Sequence, residues 1–218
     1  DRVFRKLTAL GTERFLELQN INIISKSIEK GFLIETKVIK NQKKIDENKN
    51  ELILEHKKIP YISYPYEWSF SQLKDAAIFH LDFHLFLLKN NATLIDASAY
   101  NIQFIGSELK FIDVLSVQRY NEGEFWVGHK QFCENFLNPL ILKSKKGIKF
   151  NNWFKGNLEG IETRELNNLL SVFDKFSYNI FVHIYLLNKF DEKYKSKKSL
   201  KPISQTKKQF SKKSFMAL

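Results

Sequence analysis

The sequence predicts an α+β fold. A small β-containing N-terminal part covers 1–60, a mainly helical part with one inserted β-hairpin covers 61–188, and a basic tail or linker covers 189–218. Three observations carry this. Residues 32–40 and 51–59 alternate apolar and polar side chains, the period of a half-buried strand. Between Ser69 and Asn90, apolar residues recur every three or four positions, the period of a helix. Two short alternating runs, Ala99–Ile105 and Leu109–Val114, flank Gly106-Ser107-Glu108, the pattern of a hairpin with a glycine turn.

The chain has 218 residues, enough for one large domain or two small ones. Hydrophobic residues make up 43%, and the twenty Phe supply a sizeable core, which excludes wholesale disorder. A single Cys and no CxxC pair exclude a disulfide framework and a Cys-based zinc site; they fit a reducing, cytoplasmic setting. The longest apolar run, Ala76–Leu88, is broken by His80, Asp82 and His84, so no membrane span is expected. The chain begins at Asp1 without a signal peptide and reads as a piece of a longer protein. Of the net charge of +11, a net +8 falls on 189–218, where ten Lys stand against two acids. The excess therefore belongs to a solvated tail, and nucleic acid is not the expected partner of the body.

Residues 2–8 alternate as a short strand. Thr12–Lys30 is helical, with Thr12 as N-cap, Gly31 as C-cap and a break at Asn20 and Asn22. Strands 32–40 and 51–59 form an antiparallel hairpin whose long polar tip is 41–50. YISYPYEWSF (61–70) follows Pro60 as an aromatic connector. Ser69 and Gln72 have capping-box spacing ahead of the long helix. After the second hairpin, Lys130–Leu142 is helical and interrupted by Pro139. Glu162–Leu187 is largely helical.

The chemistry-bearing stretch is TLIDASAYNIQFIGSELKFIDVLS, 93–116. It places Asp96 just after the long helix, Asn101 at the entry to the hairpin and Asp113 at its exit. A hairpin brings its two ends together, so Asn101 and Asp113 are expected to be close, with Asp96 a few residues outside. Oxygen ligands so arranged suit a hard cation such as Mg²⁺. The competing reading makes each of the three a turn cap.

This order of residues resembles the protein-kinase-like fold, above all the divergent small-molecule kinases, over about Leu54–Leu142. IDASAYN stands where that family has HRDxxxxN, and FIDVLS stands where it has DFG. The resemblance implies Asp96 as general base and Asn101 and Asp113 as Mg²⁺ ligands. It implies ATP held along the connector by Tyr64, Tyr66 and Glu67. It also implies a phosphate-binding Lys37 or Lys40 paired with Glu13 or Glu17, and a small-molecule acceptor. The departures are specific. There is no glycine-rich loop and no VAIK pattern, no His-Arg precedes Asp96, and no Gly follows Asp113.

A second resemblance is closer in wording. HKKIPYISYPYEWSFSQLKDAAIFHLDF, TLIDASAYNIQF, FWVGHKQFCENFLNPLIL and WFKGNLEGI look like the N-terminal region of a bacterial group of SAM-dependent methyltransferases that includes nodulation-type proteins. This covers most of 54–160. It implies that the chain is an accessory part, binding substrate or acting as a scaffold for a methyltransferase domain in the same polypeptide. No strand-to-GxGxG turn offers a SAM site within 1–218.

Other candidates are weaker. His80 and His84 lie one helical turn apart, but HLDFH is not HExxH and no further zinc ligands can be placed from the sequence. Cys133, flanked by Phe132 and Phe136, reads as a buried small hydrophobe. Trp68, Trp126 and Trp153 read as core contacts rather than base-stacking platforms.

Overall fold

The computed structural model describes residues 2–39, 51–177 and 180–186. The hairpin tip, Lys40 and the basic tail lie outside them. Strand β1 (Val3–Lys6) pairs with β3 (Ile53–His56), which pairs in turn with β2 (Thr36–Val38), all antiparallel. Val3, His56 and Thr36 lie abreast, followed by Arg5, Leu54 and Val38. The period of two puts these six on one face, where Leu54 is fully buried. Phe4, Glu55 and Lys37 occupy the opposite face.

The helix expected at Thr12 begins earlier. In α1 (Ala9–Asn20) the N-cap is Thr8, whose hydroxyl accepts the Gly11 N–H at 3.2 Å. Thr12 is instead buried and accepts the Leu52 N–H at 3.1 Å. The expected break is present: Asn22 takes a left-handed φ of 55°, and α2 (Ile23–Glu29) follows. Gly31, at φ 79°, then turns the chain back. The strand expected over 32–40 is divided between two partners. Phe32–Ile34 runs beside the second hairpin, where Phe111 N–H donates to Phe32 C=O and Ile34 N–H donates to Phe111 C=O. Only Thr36–Val38 joins β3.

Helix α3 (Phe70–Lys89) has its full capping box: the Ser69 N–H donates to Gln72 Oε1 and the Gln72 N–H to Ser69 Oγ. Its buried face carries Leu73, Ala76, Ala77, His80, Phe83, His84, Leu87 and Leu88. Leu81 is exposed, and Phe83 is fully buried. Strand β4 (Ala92–Leu94) follows and pairs with β7 (Val117–Arg119), enclosing the hairpin of β5 (Ile102–Ile105) and β6 (Glu108–Phe111). Gly106, at φ 63°, makes the hairpin turn.

From His129 to Lys146 one continuous helix runs through α4 (His129–Phe132), a π-helical stretch (Cys133–Leu137) and α5 (Asn138–Lys146). Pro139 has no N–H to continue the ladder, and the helix widens just before it. Short helices α6 (Asn151–Gly156) and α7 (Thr163–Leu169) follow. The long helix expected over 162–187 ends at Leu169. There a turn closes with Ser171 N–H and Oγ–H both on Asp174 Oδ2, and a second π-helical stretch covers Phe181–Leu186.

One buried cluster extends from Leu7 through Phe83, Phe111 and Phe136 to Ile184. The N-terminal sheet and the helical part therefore share a core. Among the described residues, no helix is long and apolar enough to cross a membrane.

Candidate functional site

The exit of the second hairpin gathers polar groups from three elements. Asp113 follows β6 and caps the short 3₁₀ turn Val114–Ser116, its Oδ1 accepting the Leu115 N–H at 3.2 Å. Ser116 Oγ–H donates to Asp113 Oδ2 at 2.7 Å and accepts from Asn101 Nδ2 at 3.3 Å. The Asn101 carbonyl accepts the Ile112 N–H. The hairpin thus brings Asn101 and Asp113 together, joined by the hydroxyl of the buried Ser116.

The third element is the N-terminal sheet. Arg5 projects from its buried face and forms an ion pair through Nη1 with Asp113 Oδ1. His56 lies on the same face. The single proton of the Thr36 hydroxyl goes to the Ile34 carbonyl at 3.0 Å, so its 2.9 Å contact with His56 Nδ1 is one in which the imidazole donates. Burial, and then the Arg5 guanidinium, hold the His56 pKa below its ordinary value, with Asp113 opposing. His56 is therefore neutral at pH 7, with Nε2 free of its proton.

Asp96 follows β4, and its Oδ1 accepts the Ser98 N–H at 2.9 Å. Ser98 Oγ in turn accepts the Tyr100 N–H. The loop is fixed by Gln131, which takes the Ala97 N–H, by Asn135, which takes the Ala99 N–H, and by Ile95 N–H on the Ser116 carbonyl. Asp96 and Asp113 both cap turns, and Asp113 also converges with Asn101.

The remaining expected residues lie elsewhere. Lys37 sits on the opposite sheet face from Arg5, 71% exposed and 2.7 Å from Glu35. Glu17 lines an open polar depression of about 400 Å³ with Arg14 and Arg119. In the connector, Tyr64 and Tyr66 stack at 5.3 Å, and Glu67 caps the turn by accepting the Tyr64 N–H. Four of the connector's carbonyls are bonded within the chain. Tyr64 C=O accepts from Glu67 N–H, Pro65 C=O from Trp68 N–H, and Asn151 Nδ2 serves the carbonyls of both Tyr66 and Trp68. An adenine edge would find these groups already bonded.

A Mg²⁺ ion needs free carboxylate lone pairs. Asp113 Oδ1 is taken by a guanidinium and an amide, Oδ2 accepts one hydroxyl, and the Arg5 cation stands where a metal's charge would be. Among the described residues, neither Asp96 nor Asp113 belongs to a group of three His, Cys, Asp or Glu side chains close enough to share an ion. As they stand, these residues do not fit the metal that the kinase resemblance implies.

Arg5, His56 and Ser116 were not legible as site residues. The D-x-x-S spacing of Asp113 and Ser116 is a local turn signal. Strand alternation puts Arg5 and His56 on one face, yet nothing in it tells which face meets the hairpin.

Half of 134 aligned residues are identical to the nodulation protein NoeA of Rhizobium meliloti (strain 1021). The aligned stretch is 62% of this chain and 28% of the length of that relative. The chain is thus similar to part of a bacterial nodulation protein. No family model matches it.

Proposed function

We propose that this chain is a non-catalytic, kinase-like module of a longer bacterial nodulation-type protein. It is attached to a methyltransferase domain in the same polypeptide, for which it binds substrate or acts as a scaffold. The observation that carries this is the Arg5–Asp113 ion pair. A protein cation and the Ser116 hydroxyl occupy the carboxylate that a kinase keeps for metal. The absent glycine-rich loop, the connector carbonyls already bonded within the chain and the outward Lys37 support the same reading. The similarity to a relative more than three times as long as the aligned stretch supports a modular role. A cytoplasmic setting belongs to the proposal, and the lone cysteine supports it.

A second reading is Mg·ATP-dependent phosphotransfer to a small-molecule acceptor, with Asp96 as base and Asn101 and Asp113 on the metal. It is favoured by the Asn101–Ser116–Asp113 convergence alone. It requires Arg5 to leave Asp113. Thermal melting with ATP, ADP and GTP, with and without Mg²⁺, separates the two. The module reading expects no metal-dependent shift. Phosphotransfer expects a rise that Asp113→Asn removes.

A further inference from the structure

We propose a transition-metal site formed by His129, Cys133 and His183, with Zn²⁺ as its ion. His129 and Cys133 stand four residues apart on the continuous helix, so they share one face. Their ligand atoms, Nε2 and Sγ, are 3.9 Å apart. His183 comes from the second π-helical stretch, and its ring lies 5.5 Å from that of His129, centroid to centroid. One ligand atom from each residue lies within 4.8 Å of the other two. Zinc bonds of about 2.0–2.1 Å to nitrogen and 2.3 Å to sulfur put tetrahedral ligand atoms about 3.3–3.6 Å apart. The cluster therefore needs to contract by roughly 1 Å, within reach of side-chain rotation.

The donor set selects the metal. Two imidazoles and a thiolate are borderline-soft ligands, which favour Zn²⁺ over the oxygen-seeking Mg²⁺. Three protein ligands leave a fourth position for water or a partner's ligand. Cys133 is 1% exposed, whereas the two histidines are partly exposed, so that position faces outward. Trp126 packs edge-on against His129 at 5.9 Å and continues to Phe132, giving the site an apolar wall.

Both π-helical stretches of the described residues begin at or contain a ligand: Cys133 opens one and His183 lies within the other. Wide turns of this kind recur at functional sites because they re-aim side chains out of helical register. Burial keeps both imidazoles in the neutral form that ligates, and it raises the Cys133 thiol to about 12. Binding must therefore expel that proton to solvent as the Zn–S bond forms. From the sequence, the lone cysteine excludes a Cys-based zinc site; the fold brings two histidines distant in sequence to Cys133 and supplies the ligands that expectation lacked.

The test uses the full chain, stripped of metal and titrated with Zn²⁺ against a chromogenic chelator, with Mg²⁺ as control. We expect one equivalent of Zn²⁺ and no competition from Mg²⁺. Co²⁺ in its place should give thiolate-to-metal charge-transfer absorption. Outer-shell partners alone are worth roughly 10–100-fold in affinity, so Cys133→Ser and His183→Gln should each weaken binding by about 100-fold or more. Asp113→Asn should leave it unchanged. Should Cys133→Ser fail to fold, the partly exposed His183→Gln decides the matter. Absence of stoichiometric Zn²⁺ binding overturns the proposal, as does binding that either folded variant retains.

Discussion

His80 shows how one side chain can sit in a core at a cost. It is fully buried, boxed by Phe111, Trp126, Phe132 and Phe136, and neither ring nitrogen makes a hydrogen bond of good geometry, the Asp96 main chain being only near enough to favour the charged form weakly. Burial pushes its pKa down to about 3, helped by His84 and opposed by the main chain of Asp96, and that of His84 down to about 4. All five histidines are shifted downward, with burial the leading cause. In the unfolded chain they take up protons near pH 6.5, whereas the folded chain resists. Stability from these residues is therefore complete above about pH 6.5 and is lost as the pH falls towards 4 and 3. Urea unfolding between pH 7.5 and 4.5 should show a loss on the order of a few kcal/mol. His80→Leu removes both unmet nitrogens and should flatten part of that slope with little loss at pH 7. Constant stability over this range would contradict the account. The motif residues were legible one at a time, since Asp96 and Asp113 cap turns as short polar side chains do. Their partner Arg5 was not, because a contact 108 residues away leaves no local trace.

At the scale of elements, signals carried by consecutive residues were readable and those set by tertiary partners were not. The capping box at Ser69 and Gln72 and the Gly106 turn are local chemistry, and both stand where the sequence placed them. The start of α1 was displaced because Thr8 and Thr12 are equally good caps; Thr12 is taken by the Leu52 N–H. The β4–β7 pair was missed because three-residue strands carry too little periodicity. The break after Leu169 was missed because the turn that makes it rests on Ser171 and Asp174 side chains. One backbone junction is a firm prediction. Gly160 has a φ of 88°, and a Cβ there would collide with the Glu134 carbonyl, which also accepts the Ile161 N–H. Neither atom can yield without breaking the contact between helix and loop. Gly160→Ala should cost roughly 2 kcal/mol or more, read as a lower urea midpoint at unchanged slope. A variant as stable as the parent would show that this junction is not packed as described.

The whole molecule is organised by one shared core. The N-terminal sheet is tied to the helical part by the Phe32–Ile34 segment on the hairpin edge and by the Arg5–Asp113 pair. The α+β class and the inserted hairpin were visible in the sequence. The way the sheet's inner face closes over the hairpin exit was not, and that closure decides the proposed function. A carboxylate already paired with a cation of its own chain has less charge to offer Mg²⁺ at this site, and the proposed module reading rests on that pairing. The direct measurement is thermal melting of wild type, Asp113→Asn and Arg5→Ala with ATP, ADP or GTP, each with and without Mg²⁺. A nucleotide at a hundred times its dissociation constant would stabilise by about 2.7 kcal/mol, a rise of roughly 5–10 °C for a chain of this size. No Mg²⁺-dependent rise is expected in the wild type with any nucleotide. A rise of that size, present in wild type and absent in Asp113→Asn, would contradict that expectation and establish Asp113 as a metal ligand.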